Sequence, residues 1–356
     1  MFDSEPTPRP FVSAEGAFAA FLVAATMGLL YWRFSGDSAP DWFGYGQLYD
    51  DEGGWLLRTG REPGFIWLLS QARAVFGTNG YVHFRFSLFC VFTAFSMWLA
   101  YRAPNQGAVA PISPIAVALI LVMTFLLKGL VQIREGIAFL FIAGPMLPLF
   151  GLHKKYFWYI GLSTIVAALI HAATAIFFFA WLSSIIIFYI PDKIITKKWT
   201  QWGIFLLATG LGIVLALTVL QNLDAIYFFL QDFGVDRHAD LQVGFWKYVY
   251  WSFNGIFVFV ARDQLIKSLK EVPRFAFSYA TAIGTVLLPV TYASCLTLIL
   301  IKFPMASVTS MSIRLFFTTI ELTLIITMIR GGVNFTSLAM VILMVGDRAR
   351  LLSVTP

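Results

Sequence analysis

The stretch 156-YFWYIGLSTIVAALIHAATAIFFFAWLSSIIIFYI-190 runs for 35 residues without one Asp, Glu, Lys or Arg. A helix rises about 1.5 Å per residue, so a single helix of this length would reach ~52 Å, against a hydrocarbon core about 30 Å thick. The run therefore predicts two membrane helices, 156–171 and 172–190, with His171 at the reversal. Because only helices and closed barrels satisfy their backbone inside lipid, a helical hairpin commits the chain to an all-α membrane fold.

The rest of the sequence agrees. Of 356 residues, 59% are hydrophobic and 12% charged, and the mean hydropathy is +0.78. Soluble domains carry about 25% charge, so a soluble enzyme is excluded. Further apolar runs predict helices near 17–34, 81–101, 112–130, 135–151, 201–220, 245–261, 276–301, 312–329 and 333–346. The expectation is an all-α polytopic membrane protein of about eleven transmembrane helices, forming one domain over 1–356. The stretch 63–76 reaches only ~21 Å as a helix. It carries Gln71 and Arg73 and opens with Pro63, a good first-turn residue, so it predicts a helix that lies on the membrane or re-enters it. The run 333–346 is followed by Arg348 and Arg350 and stays unassigned between spanning and re-entrant.

Lys and Arg total 25 against 19 acidic residues, a net charge of +6. On a membrane protein that excess sets orientation. Arg102, the pair Lys154 and Lys155, the group Lys193, Lys197 and Lys198, and the group Arg262, Lys267, Lys270 and Arg274 fall in alternate loops, which predicts a cytoplasmic side. The segments 35–80 and 221–244 then face outward as periplasmic loops. The second holds four aspartates, Asp224, Asp232, Asp236 and Asp240, against Arg237. Cys90 and Cys295 sit in apolar runs and predict no disulfide. Phosphate-loop, dinucleotide, Cys/His metal and nucleic-acid motifs are absent, so the expectation is no metal, no cofactor and no nucleic acid. The polar, proline-bearing start, MFDSEPTPRP, lacks the basic region of a signal peptide.

Charge inside or beside a bilayer costs several kcal/mol at a helix centre (~2.5–3.5), so each polar residue there needs a reason. Many gather at the outward level. The first outer loop offers Asp41, Arg58, Arg61 and Glu62, with Tyr45 and Tyr49 following Asp41 at helical spacing, as residues that flank a sugar ring would. An ordinary solvated loop explains the same composition. Lys128, Gln132 and Glu135 share one helical face, with Arg134 beside it directly before an apolar helix, where its planar fork suits phosphate oxygens. Interfacial snorkelling of the two cations is the alternative. His171 stands level with Arg134 and also reads as a packing residue. Arg314 opens another helix with Glu321 two turns deeper, equally consistent with a structural ion pair. His83 and Arg85, at the same level, read as structural. No position is specific alone; their convergence on one membrane face describes a pocket of cations and acids suited to a lipid-linked diphosphate.

Three segments resemble the EpsG-like bacterial polysaccharide polymerases, relatives in role of the Wzy-type O-antigen and exopolysaccharide polymerases. Asp41-Trp42 with Tyr45 and Tyr49 is similar to that family's Asp-aromatic-x-x-Tyr segment. Glu62-Pro63-Gly64-Phe65 is similar to its Glu-x-Gly-aromatic segment. Ile133-Arg134-Glu135-Gly136-Ile137-Ala138 resembles its Ile-Arg-Gln-x-Ile-Ala motif, followed by His171, and Arg314 matches a late arginine. Glu135 replaces the usual Gln and adds an acid beside Arg134. The resemblance implies a GT-C-like, metal-independent membrane glycosyltransferase in the bacterial inner membrane with its active site facing the periplasm. It would polymerise undecaprenyl-diphosphate-linked oligosaccharide, with membrane lipid and a chain-length regulator as further partners. The implied acids are Asp41 first, then Glu62 and Glu135, with His171 orienting substrate or an acid. Arg134, Arg314, Lys128, Gln132, Tyr45, Tyr49, Arg58 and Arg61 would bind substrate. A flippase or transporter of the same lipid-linked sugars, and an outer-face ligase or other GT-C enzyme, are the competing readings.

Overall fold

The computed structural model describes residues 14–34, 42–51, 62–102, 133–150, 155–222, 245–269, 272–301 and 306–331. Among these residues every element is helical. In chain order they are α1 (Ala14–Phe34), α2 (Trp42–Asp50), α3 (Pro63–Phe76), α4 (Tyr81–Arg102), α5 (Ile133–Phe150), α6 (Tyr156–Ile170), α7 (Ala175–Tyr189) and the single turn α8 (Asp192–Ile195). Then follow α9 (Lys198–Gln221), α10 (Phe245–Ser268), α11 (Arg274–Leu300) and α12 (Ala306–Gly331). The expected spans 112–130 and 333–346, and most of the segment 221–244, lie outside the described residues.

The hairpin forms as the charge-free run predicts. α6 ends at His171, whose backbone is extended (φ −145°, ψ 104°), a 3₁₀ turn over Ala172–Thr174 reverses the chain, and α7 returns against α6. Three helices, 172–189, α9 and α11, are long and apolar enough to cross a membrane by length and composition, and this is a membrane protein. They differ in burial. The apolar window of α11 is 67% buried, those of 172–189 and α9 only 28% and 22%. So α11 is the axis of the bundle, packed by α7, α9, α10 and α12, while α7 and α9 turn most of their apolar surface outward.

Small residues set the closest approach. In α9 the buried positions Ala208, Gly212 and Ala216 recur every four residues, while Leu206, Leu207, Leu211 and Val214 are exposed. A Cβ at Gly212 would come within 2.5 Å of the Val290 carbonyl oxygen, so α9 lies backbone-close on α11 there. Within α11, Pro289 has no N–H to give the preceding turn. Just before it the helix widens to a π segment, Ala282–Leu287, closed by the Leu288 N–H on the Ile283 carbonyl.

Three boundaries differ from expectation. α5 already includes Ile133, so Arg134 lies within the helix and not directly before it. α12 starts at Ala306, so Arg314 lies in its third turn and not at its start; the Ser/Thr-rich stretch before it is helical. α10 continues past Arg262 to Ser268, because its charges sit at helical spacing, with Lys267 paired to Asp263 at 2.6 Å.

Candidate functional site

Three elements converge at one end of the bundle: the start of α3, the first turn of α5 and the α6–α7 reversal. Glu62 precedes Pro63, and its carbonyl accepts the Phe65 and Ile66 N–H groups that begin α3. Two residues on, Gly64 lies against the last turn of α6. A Cβ there would stand 3.1 Å from the Leu169 backbone, so the small residue lets the Glu62 turn seat directly beside His171. Glu62 takes a left-handed backbone (φ 50°, ψ 51°) and is the one non-glycine residue with positive φ among those described.

That backbone aims the carboxylate into a set of donors. Oε2 accepts from Arg134 Nη1 at 2.5 Å. Oε1 lies 3.0 Å from His171 Nδ1 and accepts the Ala172 N–H at 3.3 Å. Arg134 Nε donates to the Tyr45 hydroxyl at 3.3 Å, tying α2 into the cluster, and the Tyr45 ring meets Phe65 edge-on. Burial pushes the Glu62 carboxyl up, but the His171 hydrogen bond and the Arg134 charge outweigh it and hold the group below the ordinary carboxylate value. An ionised Glu62 only accepts, so His171 Nδ1 carries the proton of their shared bond, and Nε2 is the ring atom left for other chemistry. Glu62 is 8% exposed against 20% for Arg134 and 18% for His171, so a ligand meets the arginine and the histidine before it meets the carboxylate.

Other expected site residues fall differently. Glu135 is buried and accepts from the Thr318 hydroxyl of α12 at 2.6 Å. This contact fixes α12 against α5, and Arg314, four residues before Thr318, stands one helical turn nearer the site end. Tyr49, expected beside Tyr45 at a sugar, is instead wholly buried. Its hydroxyl donates to the Gly77 carbonyl at 2.8 Å and its ring packs on Tyr81 and Phe84, because its turn of α2 faces the α3–α4 corner. Arg85 is fully buried in α4, and His83 is exposed and stacks on Phe76. Asp41, Arg58, Arg61, Lys128 and Gln132 lie outside the described residues.

Sequence reasoning missed Thr318, although Arg314, Thr318 and Glu321 fall at i, i+4 and i+7 on one helical face, a signal available in the string. It also missed Gly64 as the residue that permits the α3–α6 contact.

The EpsG family model matches residues 17–346, nearly the whole chain. No curated protein matches, and no solved structure does. The chain belongs to the EpsG family, which indicates a membrane protein of the polysaccharide-polymerase type.

Proposed function

With membership of the EpsG family as the premise, we propose that this protein polymerises undecaprenyl-diphosphate-linked oligosaccharide units at the periplasmic face of the bacterial inner membrane. The reading includes a GT-C-like arrangement of about eleven spans. The observation that carries it is the Glu62–Arg134–His171–Tyr45 cluster, four chain segments meeting at one helix-bundle end.

The chemistry follows from the cluster. An acceptor sugar hydroxyl attacks the anomeric carbon of the glycan held on lipid diphosphate. The new C–O bond forms as the C–O bond to diphosphate breaks, and the diphosphate leaves with the electron pair. His171 Nε2 takes the hydroxyl proton; Glu62, hydrogen-bonded to Nδ1, fixes the ring and its tautomer and stabilises the imidazolium. Arg134, with Arg314 one turn above Thr318, offsets charge on the diphosphate. Lys128, Gln132, Arg58 and Arg61 are assigned to the same anionic and sugar contacts. Asp41, adjoining the helix that carries Tyr45, is the competing base, and Glu135 is assigned to holding α12.

A flippase would need polar groups lining a path across the membrane, whereas this cluster lies at one end. A ligase shares the chemistry and differs in the acceptor. The test is the glycan made when a polymerase-null strain carries variants of this chain. Glu62→Gln, Arg134→Lys and His171→Asn should each leave single-repeat glycan. Single-turnover transfer by purified proteins in lipid should fall about 10²–10⁴-fold for His171→Asn. Long unattached polymer in a strain lacking this chain alone identifies a ligase, and repeat units retained inside that strain identify a flippase. A large loss in Asp41→Asn with His171→Asn near wild type moves the base to Asp41.

A further inference from the structure

At the end of the bundle opposite this cluster, a groove of about 330 Å³ opens between the start of α6, the end of α7 and the start of α11. α6 separates the two ends: Lys155 directly precedes its first residue and His171 directly follows its last, ~24 Å apart along the axis. The groove floor is aromatic, with Phe157, Phe188 and Phe275. Its sides are Trp158 and Tyr189, both largely exposed, and Lys155 is the charged group on its rim. A methylene is about the size of a water, ~30 Å³, so the space accepts roughly ten carbons of an acyl chain.

The rim is built. Arg274 Nη2 donates to the Ile187 carbonyl at 3.0 Å and to the Ile190 carbonyl, satisfying the end of α7. α8 is held by Ile195, fully buried with Ile187 of the last turn of α7 and with Ala282. The segment 190–200 contributes Lys193, Lys197 and Lys198 against Asp192. Apolar contact alone gives no preference over bulk lipid, because acyl tails are as apolar as the groove. What distinguishes the site is a cation at the edge of an acyl-sized slot, Lys155 Nζ lying 5.5 Å from the Tyr156 ring centre, at the end that the lysine distribution assigns to the cytoplasmic leaflet.

We propose that this groove binds one anionic glycerophospholipid, its phosphate on Lys155 and one acyl chain on the aromatic floor. On the proposed polymerase reading the polyprenyl diphosphate reacts at the other end, so the polyprenyl carrier is not the occupant.

The test is native mass spectrometry of the delipidated full chain titrated with dioleoyl phosphatidylglycerol, dioleoyl phosphatidylcholine or undecaprenyl phosphate. One phosphatidylglycerol should bind in preference to phosphatidylcholine. Lys155→Gln should weaken phosphatidylglycerol about fivefold, the worth of one lysine near a membrane surface, and leave phosphatidylcholine unchanged. Trp158→Ala should weaken both. Lys267→Gln, on a residue paired with Asp263 elsewhere, should change neither. The assignment is overturned by equal binding of the two phospholipids, by Lys267→Gln matching Lys155→Gln, or by undecaprenyl phosphate displacing phosphatidylglycerol at equal concentration. No step of this test requires glycan synthesis, so its outcome is independent of the polymerase reading.

Discussion

Glu62 holds a backbone conformation that is unfavourable for an L-residue, by about 1–3 kcal/mol, and it does so before a proline, which biases its neighbour toward extended backbone. Such a geometry persists where surrounding contacts over-determine it, and here Arg134, His171 and the Ala172 N–H all converge on one carboxylate. The residue types were legible in the sequence, because Glu62, Arg134 and His171 each interrupt or border apolar runs. Their mutual contact was not, because 72 and 109 residues separate Glu62 from its two partners, and the packing of both α3 and α5 on α6 closes those distances. Tyr49 shows the converse error: helical spacing from Asp41 placed it correctly on α2, but spacing does not say which face meets the core. A pH dependence follows from Glu62. Its folded-state value lies below the unfolded one, so its contribution to stability is complete above the ordinary carboxylate pKa, about 4.3, and is lost as pH falls through the lowered folded value. Glu62→Gln should therefore melt at lower temperature than wild type at pH 5–8, with the gap closing below pH ~4. Melting in detergent across that range checks it; a gap that stays constant down to pH 3 rules out an ionised Glu62 as the source.

At the scale of elements, helix contacts depend on a few small residues that hydropathy does not flag. α9 reads as a uniformly apolar span, yet its Ala208, Gly212 and Ala216 face α11 while its leucines face outward. Without a hydrophobic drive between helices in lipid, close backbone packing along such a stripe carries the association. Gly210 and Gly212 make a controlled pair, two residues apart on the same helix. Nothing lies within 4 Å of a Cβ at Gly210, whereas a Cβ at Gly212 meets the Val290 carbonyl oxygen at 2.5 Å, a backbone atom that moves only with its helix. Gly210→Ala should be neutral or stabilise by up to ~1 kcal/mol, the helix-propensity gain. Gly212→Ala should destabilise by roughly 1–3 kcal/mol, the usual cost of overpacking. Thermal melts of the two variants, read side by side, decide it: equal melting temperatures would mean that α9 does not press on α11 at this point.

At the scale of the whole molecule, the two ends of the α6–α7 hairpin carry opposite chemistry. The turn end holds Glu62, Arg134 and His171; the open end holds Lys155, Lys193, Lys197 and Lys198 with the exposed aromatics Trp158, Tyr189 and Trp199. The fold class and this polarity were legible because span length and loop charge are properties of single segments. The order of helices around α11 was not, since it depends on which faces pair. Lys and Arg in short loops favour the cytoplasmic side, and the proposed orientation, with the candidate site outward, rests on these lysines. The proposed side of each loop is open to direct labelling. With Cys90 and Cys295 first replaced by serine and alanine, single cysteines are introduced as Trp55→Cys and Asn79→Cys, flanking α3, and as Lys197→Cys. α3 reaches only ~21 Å, short of the ~30 Å core, so both of its ends should lie on the same side. An impermeant maleimide added to intact cells should label positions 55 and 79, and should reach position 197 only after permeabilisation. Labelling of 55 and 79 from different sides would make α3 a crossing helix, and labelling of 197 from outside would invert the molecule and put the Glu62–Arg134–His171 cluster at the cytoplasmic face, against the proposed periplasmic site.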